Sequence, residues 1–358
     1  MMRVGRLGLL ALLFIAALGA GAGWLESQLG RPYWRNSSDQ IFVDIPHGTS
    51  RMGIAEILAR DHIIRNQLAF TLFSEWHHRR KLQAGEYLFD HPMDSREVFW
   101  KIAHGQIFVR SITVPEGWTM YDIANEMQSQ GICSREQFLA SARDTSLISD
   151  IAPQAHTLEG FLFPSTYEFT RHTSCDQVVK RMTQDFRATW ERLGASGSQQ
   201  VSASFTPAQV VSLASLVERE TPNPDERPLV AGVFYNRLHL GVPLQCDPTV
   251  QYALEMSGHP KRDVRPEDLR VDSPYNTYEH RGLPPGPIGN PGEASLRAAL
   301  APAQTDYLYF VANNQGGHFF ASTLAEHNRN VARLRRLLAG DAPPPDPQPA
   351  RTKHRGSS

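Results

Sequence analysis

The first feature of the hydrophobic pattern is a run without charge. From Leu7 to Leu25 no residue is ionisable. At ~1.5 Å per residue such a helix spans about 28 Å, close to the ~30 Å hydrocarbon core of a bilayer. Arg3 and Arg6 precede the run and Glu26 follows it. The positive-inside rule then keeps the N-terminus cytoplasmic and puts the rest of the chain outside. Trp24 suits an interfacial anchor. The alternative is a cleaved signal peptide, for which "ALGAGAG" offers small residues. An uncleaved anchor over 7–25 is the expectation, with residues 1–6 cytoplasmic and residues 26–39 a linker.

Beyond the linker the periodicity changes. "IFVDIP" and "AGEYLF" alternate like strands, whereas "SRMGIAEILAR", "NQLAFTLFSEWHHR" and "SREVFWKIAHG" have helical spacing, the last closed by Gly105. Residues 40–105 therefore predict a small βααβ module. A weak repeat follows: "DIPHGTSRMGIAEIL" (Asp44 to Leu58) matches "TVPEGWTMYDIANEM" (Thr113 to Met127). Both read as strand, Pro-x-Gly turn and amphipathic helix, which is architecture rather than shared function.

Residues 106–340 form the larger expected unit. Helical patterns cover Cys175 to Leu193, Pro207 to Glu220, Asp225 to Leu240 and Glu293 to Ala301. "DYLYFVAN" and "HFFAS" alternate, with "NQGG" as a hairpin turn between them. Without a regular βαβ rhythm, the class is α+β. Residues 341–358, rich in Pro and charge, predict a disordered tail.

The helix ending in "SLVERET" poses a chemical question. Thr206 suits the N-cap and Pro207 the first turn. Ala208, Ser212, Ser215 and Arg219 make a polar stripe, and Val210, Leu213, Ala214 and Val217 an apolar face. Glu218 and Glu220 flank Arg219 at the last turn, where the macrodipole prefers cations. Partial burial would raise either carboxyl and prepare it as a proton donor. Helical geometry does not choose between them.

Composition narrows the field. The chain has 358 residues, 41% hydrophobic and 20% charged, with net charge −1. That allows two modest domains and gives no basic bias toward nucleic acid. Three cysteines, Cys133, Cys175 and Cys246, lie far apart without a CxxC pair. Three buried thiols are expected, with one bridge, Cys133–Cys175 or Cys175–Cys246, open as an alternative. GxxxxGK[ST], HExxH and GxSxG are absent. "GPIGNPG" is no phosphate loop, because Pro287 and Pro291 remove N–H donors. The 14 histidines show no ligand spacing, and adjacent His77 and His78 read as exposed polar residues. No metal or cofactor is expected.

Downstream, "LQCDPTVQYAL", "SPYNTYEHRGLPPGPIGNPG" and "GGHFFASTLAEHN" concentrate amides, aromatics and turn residues. Such loops suit a groove for a polar polymer of rings, such as a glycan; a proline-stiffened surface is the plainer alternative.

At these residues a resemblance becomes specific. "LEGFLFPSTYEF", "SLVERET", "VFYNRL", "GVPLQCDPTVQYAL", "SPYNTYEHRGLPPGPIGNPG", "YLYFVANNQGGHFF" and "EHNRNV" occur in order across most of Leu158 to Val331. In these segments the chain resembles the endolytic murein transglycosylases of the MltG (YceG-like) family. The resemblance implies cleavage of the β-1,4 bond between N-acetylmuramic acid and N-acetylglucosamine, leaving a 1,6-anhydro end. It implies Glu218 as the acid, then base. It implies that Gln245, Asp247, Tyr275, Asn276 and Tyr278 bind sugar, with Glu159 and Glu220 as polar neighbours tuning Glu218. It also implies a LysM-like character for residues 40–105, a periplasmic catalytic domain on the inner membrane, peptidoglycan as the substrate, synthases of the cell-wall machinery as protein partners, and no nucleic acid. A peptidoglycan-binding scaffold and a hydrolytic muramidase are the competing readings.

Overall fold

The computed structural model describes residues 2–33, 40–194, 205–259 and 262–339. The expected linker in part (34–39) and the expected tail (341–358) lie outside the described residues. The chain divides into two units, Met1–Ser111 with Glu168–His172, and Ile112–Tyr167 with Thr173–Ser358. Among the described residues, helices mix with short two-stranded pairs, β1–β2 and β5–β6 antiparallel, so the class is α+β.

In the first unit, α1 runs from Met2 to Leu29. Its stretch Gly8–Leu29 has mean hydropathy 2.0 and is long and apolar enough to cross a membrane. The helix outruns the 7–25 expectation because its last turn has partners. Leu29 is buried, and Glu26 Oε1 lies 3.0 Å from Arg96 Nη1. Then follow β1 (Ile41–Ile45), α2 (Arg51–Arg60), α3 (Gln67–Trp76), β2 (Gly85–Phe89) and α4 (Ser95–Ala103). Strands β1 and β2 pair antiparallel, with Val43 opposite Tyr87. Their inward alternation buries Val43, Ile45, Tyr87 and Phe89 against Ile54, Leu58, Phe70, Val98 and Phe99 from the three helices. Ser50, Asn66 and Asp94 each cap a helix through a side-chain oxygen. His77 departs from the expectation of an exposed polar residue. Its ring packs on Phe73 and Phe99, with centroids 4.3 and 5.3 Å away, because the chain leaves α3 over the aromatic cluster.

The second unit carries α5 (Met120–Ser129), α6 (Arg135–Ser141), α7 (Cys175–Gly194), α8 (Pro207–Glu220), α9 (Arg227–His239), α10 (Asp247–Met256), α11 (Glu293–Leu300) and α12 (Leu324–Ala339). Strands β3 (Arg110–Thr113) and β4 (Thr166–Phe169) each run across the division of the chain, and β5 (Tyr309–Ala312) and β6 (His318–Ala321) pair antiparallel within the second unit. Helix α8 is the centre, packed by α9, α10 and α11. Every residue from Val210 to Val217 is buried. The expected polar stripe is therefore not a solvent face. Ser212 Oγ donates to Gly286 O, Ser215 Oγ accepts from Ile288 N, and Arg219 Nη1 donates to Ile288 O. The stripe is the hydrogen-bonding seam for the Pro-rich loop.

Two further expectations change. "DPTVQYAL", grouped by composition with the loops, opens helix α10, where Pro248 is tolerated in the first turn. Of the cysteines, Cys133 and Cys175 form a disulfide across 42 residues, while Cys246 stays a buried free thiol. Wide sequence spacing hid the pair, which is made when the end of the α5–α6 connection meets the start of α7.

Candidate functional site

Helix α8 presents its two terminal glutamates to different surroundings. Glu218 turns toward Arg227, at the start of α9. Its Oε1 accepts from Arg227 Nη2 at 2.8 Å, and its Oε2 accepts from Gly292 N at 3.0 Å. The two side chains are only 5% and 6% exposed. Glu116, from the Pro115–Gly117 turn, reaches the same guanidinium at 3.2 Å. Burial raises the Glu218 carboxyl above its ordinary value, opposed by Arg227 and the Gly292 N–H. Both lobes of this carboxyl are engaged by protein.

Glu220 faces a cavity of about 320 Å³, lined with Arg237, Leu244, Gln245, Asp247, Tyr278, Phe310 and His327. Burial pushes its carboxyl up to about 7, and the Asp247 charge adds to the rise. The Cys246 thiol, His318 and Arg237 pull the other way. Around it the polar groups are fixed. Arg237 donates to the carbonyls of Leu308, Pro243 and Leu244, which holds its guanidinium at the cavity wall. Tyr278 donates its hydroxyl to Asp247 Oδ1.

Gln245 occupies a left-handed backbone conformation, φ 52°. That conformation is costly for a residue with a Cβ and is found mostly where the surroundings enforce it. The enforcement is visible: Gln245 N donates to Thr277 O, Cys246 N donates to Thr277 Oγ1, and Thr277 Oγ1 meets Thr249 Oγ1 at 3.0 Å.

The other residues picked from sequence divide accordingly. Gln245, Asp247, Tyr278 and Glu220 come together around the cavity. Asn276 is fully buried, and its side-chain amide donates to Leu269 O and Val271 O, so it shapes the loop that carries Tyr278. Tyr275 packs on Tyr252, its ring centroid 5.1 Å away. Glu159 is 2% exposed, accepting from Met120 N, Tyr252 Oη and Asn290 Nδ2, and burial pushes it up to about 8. It braces the start of α5 and the "GNPG" turn. Sequence reasoning passed over Arg227, Arg237 and Glu116. The signal for Arg237 was its place in "VFYNRL"; for Glu116 it was the repeat, whose second Pro-x-Gly turn brings Gly117 against the Glu218 side chain.

The arrangement has the chemistry for acid–base work: one desolvated carboxyl near neutrality, beside a carboxylate, an amide and a phenol, at a polar cavity. The chain belongs to the YceG-like family, whose pattern matches residues 43–333. It is 35% identical over 325 residues to the endolytic murein transglycosylase of Bacillus subtilis (strain 168), covering 86% of this chain and 89% of that protein. It is 31% identical over 356 residues to the endolytic murein transglycosylase of Streptococcus pneumoniae serotype 2, covering 90% of this chain. This chain spans 64% of that longer relative. The crystal structure of a yceG-like protein from Listeria monocytogenes aligns with TM-score 0.55 and 33% identity, over 82% of this chain and 99% of the other.

Proposed function

We propose that this protein is a membrane-anchored lytic transglycosylase that cleaves peptidoglycan glycan strands internally, with Glu220 as acid and then base. The observation that carries the reading is the Glu220 carboxyl, held near neutrality in a polar cleft beside Asp247, Gln245 and Tyr278. The names of the relatives support the substrate.

The chemistry needs one carboxyl. Protonated Glu220 donates to the glycosidic oxygen as the bond from muramoyl C1 breaks. The neighbouring 2-acetamido carbonyl stabilises the cationic carbon. Glu220, now a carboxylate, takes the proton from the C6 hydroxyl while O6 closes onto C1. The products are a 1,6-anhydro end and a free 4-hydroxyl, and Glu220 is again protonated. A pKa near the working pH serves both halves.

The resemblance assigned the acid to Glu218, and its raised pKa supports that second reading. Against it stand the Arg227 guanidinium and the Gly292 N–H, which both favour the charged form of Glu218. A third reading is hydrolysis, favoured by Asp247 in the same cleft, because two carboxyls are the usual equipment of a glycosidase.

Digestion of purified sacculi by wild type, Glu218→Gln and Glu220→Gln, with mass spectrometry of the products, tests all three. Anhydro ends lost only in Glu220→Gln support the proposal. Loss confined to Glu218→Gln assigns the acid to Glu218, and reducing ends one water heavier mean hydrolysis.

In this reading α1 remains as a single-pass inner-membrane anchor, with the catalytic unit periplasmic and cell-wall synthases as its protein neighbours. The module of residues 40–105 is LysM-like and engages glycan, residues 106–340 catalyse, and Gln245, Asp247 and Tyr278 contact sugar while Tyr275, Asn276 and Glu159 support them. The uncharged span Leu7 to Leu25 supports the anchor. A mature N-terminus near Trp24 would refute it.

A further inference from the structure

Among the described residues, the first unit leaves an apolar face uncovered. On α3, Leu68, Leu72 and Trp76 recur every fourth residue and so line one side of the helix. They are 59%, 48% and 85% exposed, and Met52 on α2 is exposed as well. An exposed tryptophan at the end of an apolar stripe is unusual on a protein surface that meets only water. The opposite side of the same helix is core, through Phe70 and Ser74.

A basic run follows directly. Arg79, Arg80 and Lys81 are all exposed, and Arg65 is exposed at the other end of α3. This run has a fixed position. Arg51 Nη1 donates to Ser74 O at 2.7 Å, and its Nη2 to His78 O at 3.0 Å and Arg80 O at 2.5 Å. The guanidinium thus clamps the turn that carries the cations to the end of the apolar stripe.

Position identifies the occupant. The last turn of α1 packs against α3 and α4. Leu29 is buried there, and Glu26 is tied to Arg96 on α4. From Trp24 to Leu29 the helix rises only about 7 Å. An element touching that turn lies close to the headgroup layer whenever α1 spans a bilayer. Apolar and indole groups beside lysine and arginine match that layer, with apolar groups toward the acyl boundary and cations on anionic phosphates.

We propose that α3 and the turn after it are a second membrane contact, in which Leu68, Leu72 and Trp76 enter the interface of an anionic bilayer and Arg79, Arg80 and Lys81 bind its phosphates. The contact fixes the first unit against the membrane at the foot of the anchor. It rests on the anchor reading proposed above.

The test uses the full chain in phosphatidylethanolamine–phosphatidylglycerol vesicles. Nitroxide labels are placed through Leu72→Cys, Trp76→Cys, Leu13→Cys in α1 and Glu267→Cys in the second unit, with the unsubstituted chain as the labelling background. Collision rates with oxygen and with a water-soluble nickel chelate read the depth of each label. The proposal expects labels at 72 and 76 to favour oxygen severalfold more than the label at 267. It expects the label at 13 to lie deepest. Replacing Arg79, Arg80 and Lys81 together by glutamine is expected to shift 72 and 76 toward the aqueous values. Labels at 72 and 76 that match 267 while 13 is deep overturn the proposal and leave the anchor intact. A water-exposed label at 13 overturns the anchor itself. Labels at 72 and 76 shielded from both reagents mean a protein covers the face, and also overturn the proposal. An unchanged depth in the triple glutamine variant overturns the role of the cations.

Discussion

Glu218 and Glu220 lie two residues apart on α8 and face different partners: Glu218 is closed in an ion pair with Arg227 at 2.8 Å, and Glu220 lines the polar cavity. Successive helical residues are turned by about 100°, so a spacing of two sends the carboxyls about 200° apart. The motif therefore carries two raised carboxyls in different surroundings, one against Arg227 and one at the cavity. Glu220→Gln is expected to lower anhydro-muropeptide release by about 10²–10⁴-fold or more, because one group serves both proton transfers. Circular dichroism should show an unchanged fold.

Glu218→Ala is expected to destabilise the protein. It leaves the buried Arg227 guanidinium with only the half-exposed Glu116 as a partner. Breaking one side of a buried ion pair costs about 3–5 kcal/mol. Thermal or denaturant melting of this variant beside Glu220→Ala measures the difference, and the loss should be much larger for Glu218.

The acid must be protonated to act, and Glu220 is pushed up to about 7. Cleavage is expected to fall as pH rises through about 7. The Asp247 charge contributes to that rise. Asp247→Asn is therefore expected to move the falling limb to lower pH, which a pH–rate profile of the two proteins reads directly.

Glu159 predicts a stability dependence. Its folded value, about 8, lies above its ordinary 4.5. Between these values the folded state binds more proton than the unfolded state. The contribution is therefore complete below about 4.5 and is lost as pH rises through about 8. Wild-type melting temperature is expected to decline across this window, and Glu159→Gln is expected to flatten the decline.

The Cys133–Cys175 bridge closes a loop of 42 residues in sequence separation. Restricting such a loop in the unfolded chain stabilises by about 4 kcal/mol in the chain-entropy description. Denaturant melts with and without reductant, and of a Cys133→Ser, Cys175→Ser protein, check the magnitude.

What the sequence determined by itself is local. The uncharged run set α1, the alternation of "IFVDI" and "GEYLF" set β1 and β2, and Thr206 with Pro207 set the start of α8. Periodicity and capping act within a few residues, so they are written in adjacent positions. The repeat was legible for the same reason: Gly48 and Gly117 both take the left-handed conformation that a Pro-x-Gly turn before a capped helix requires.

What the tertiary structure decided depends on partners distant in sequence. Ser212 and Ser215 read as a polar stripe, and the loop from Gly286 to Ile288 supplies their partners. Cys133 found Cys175 only when the α5–α6 connection met the start of α7. The two glutamates were equivalent on a helical wheel and became different when Arg227 and Gly292 N arrived at one and Asp247 and Arg237 at the other. Burial and charge at a carboxyl are sums over everything packed around it, and no window of neighbouring residues contains that sum.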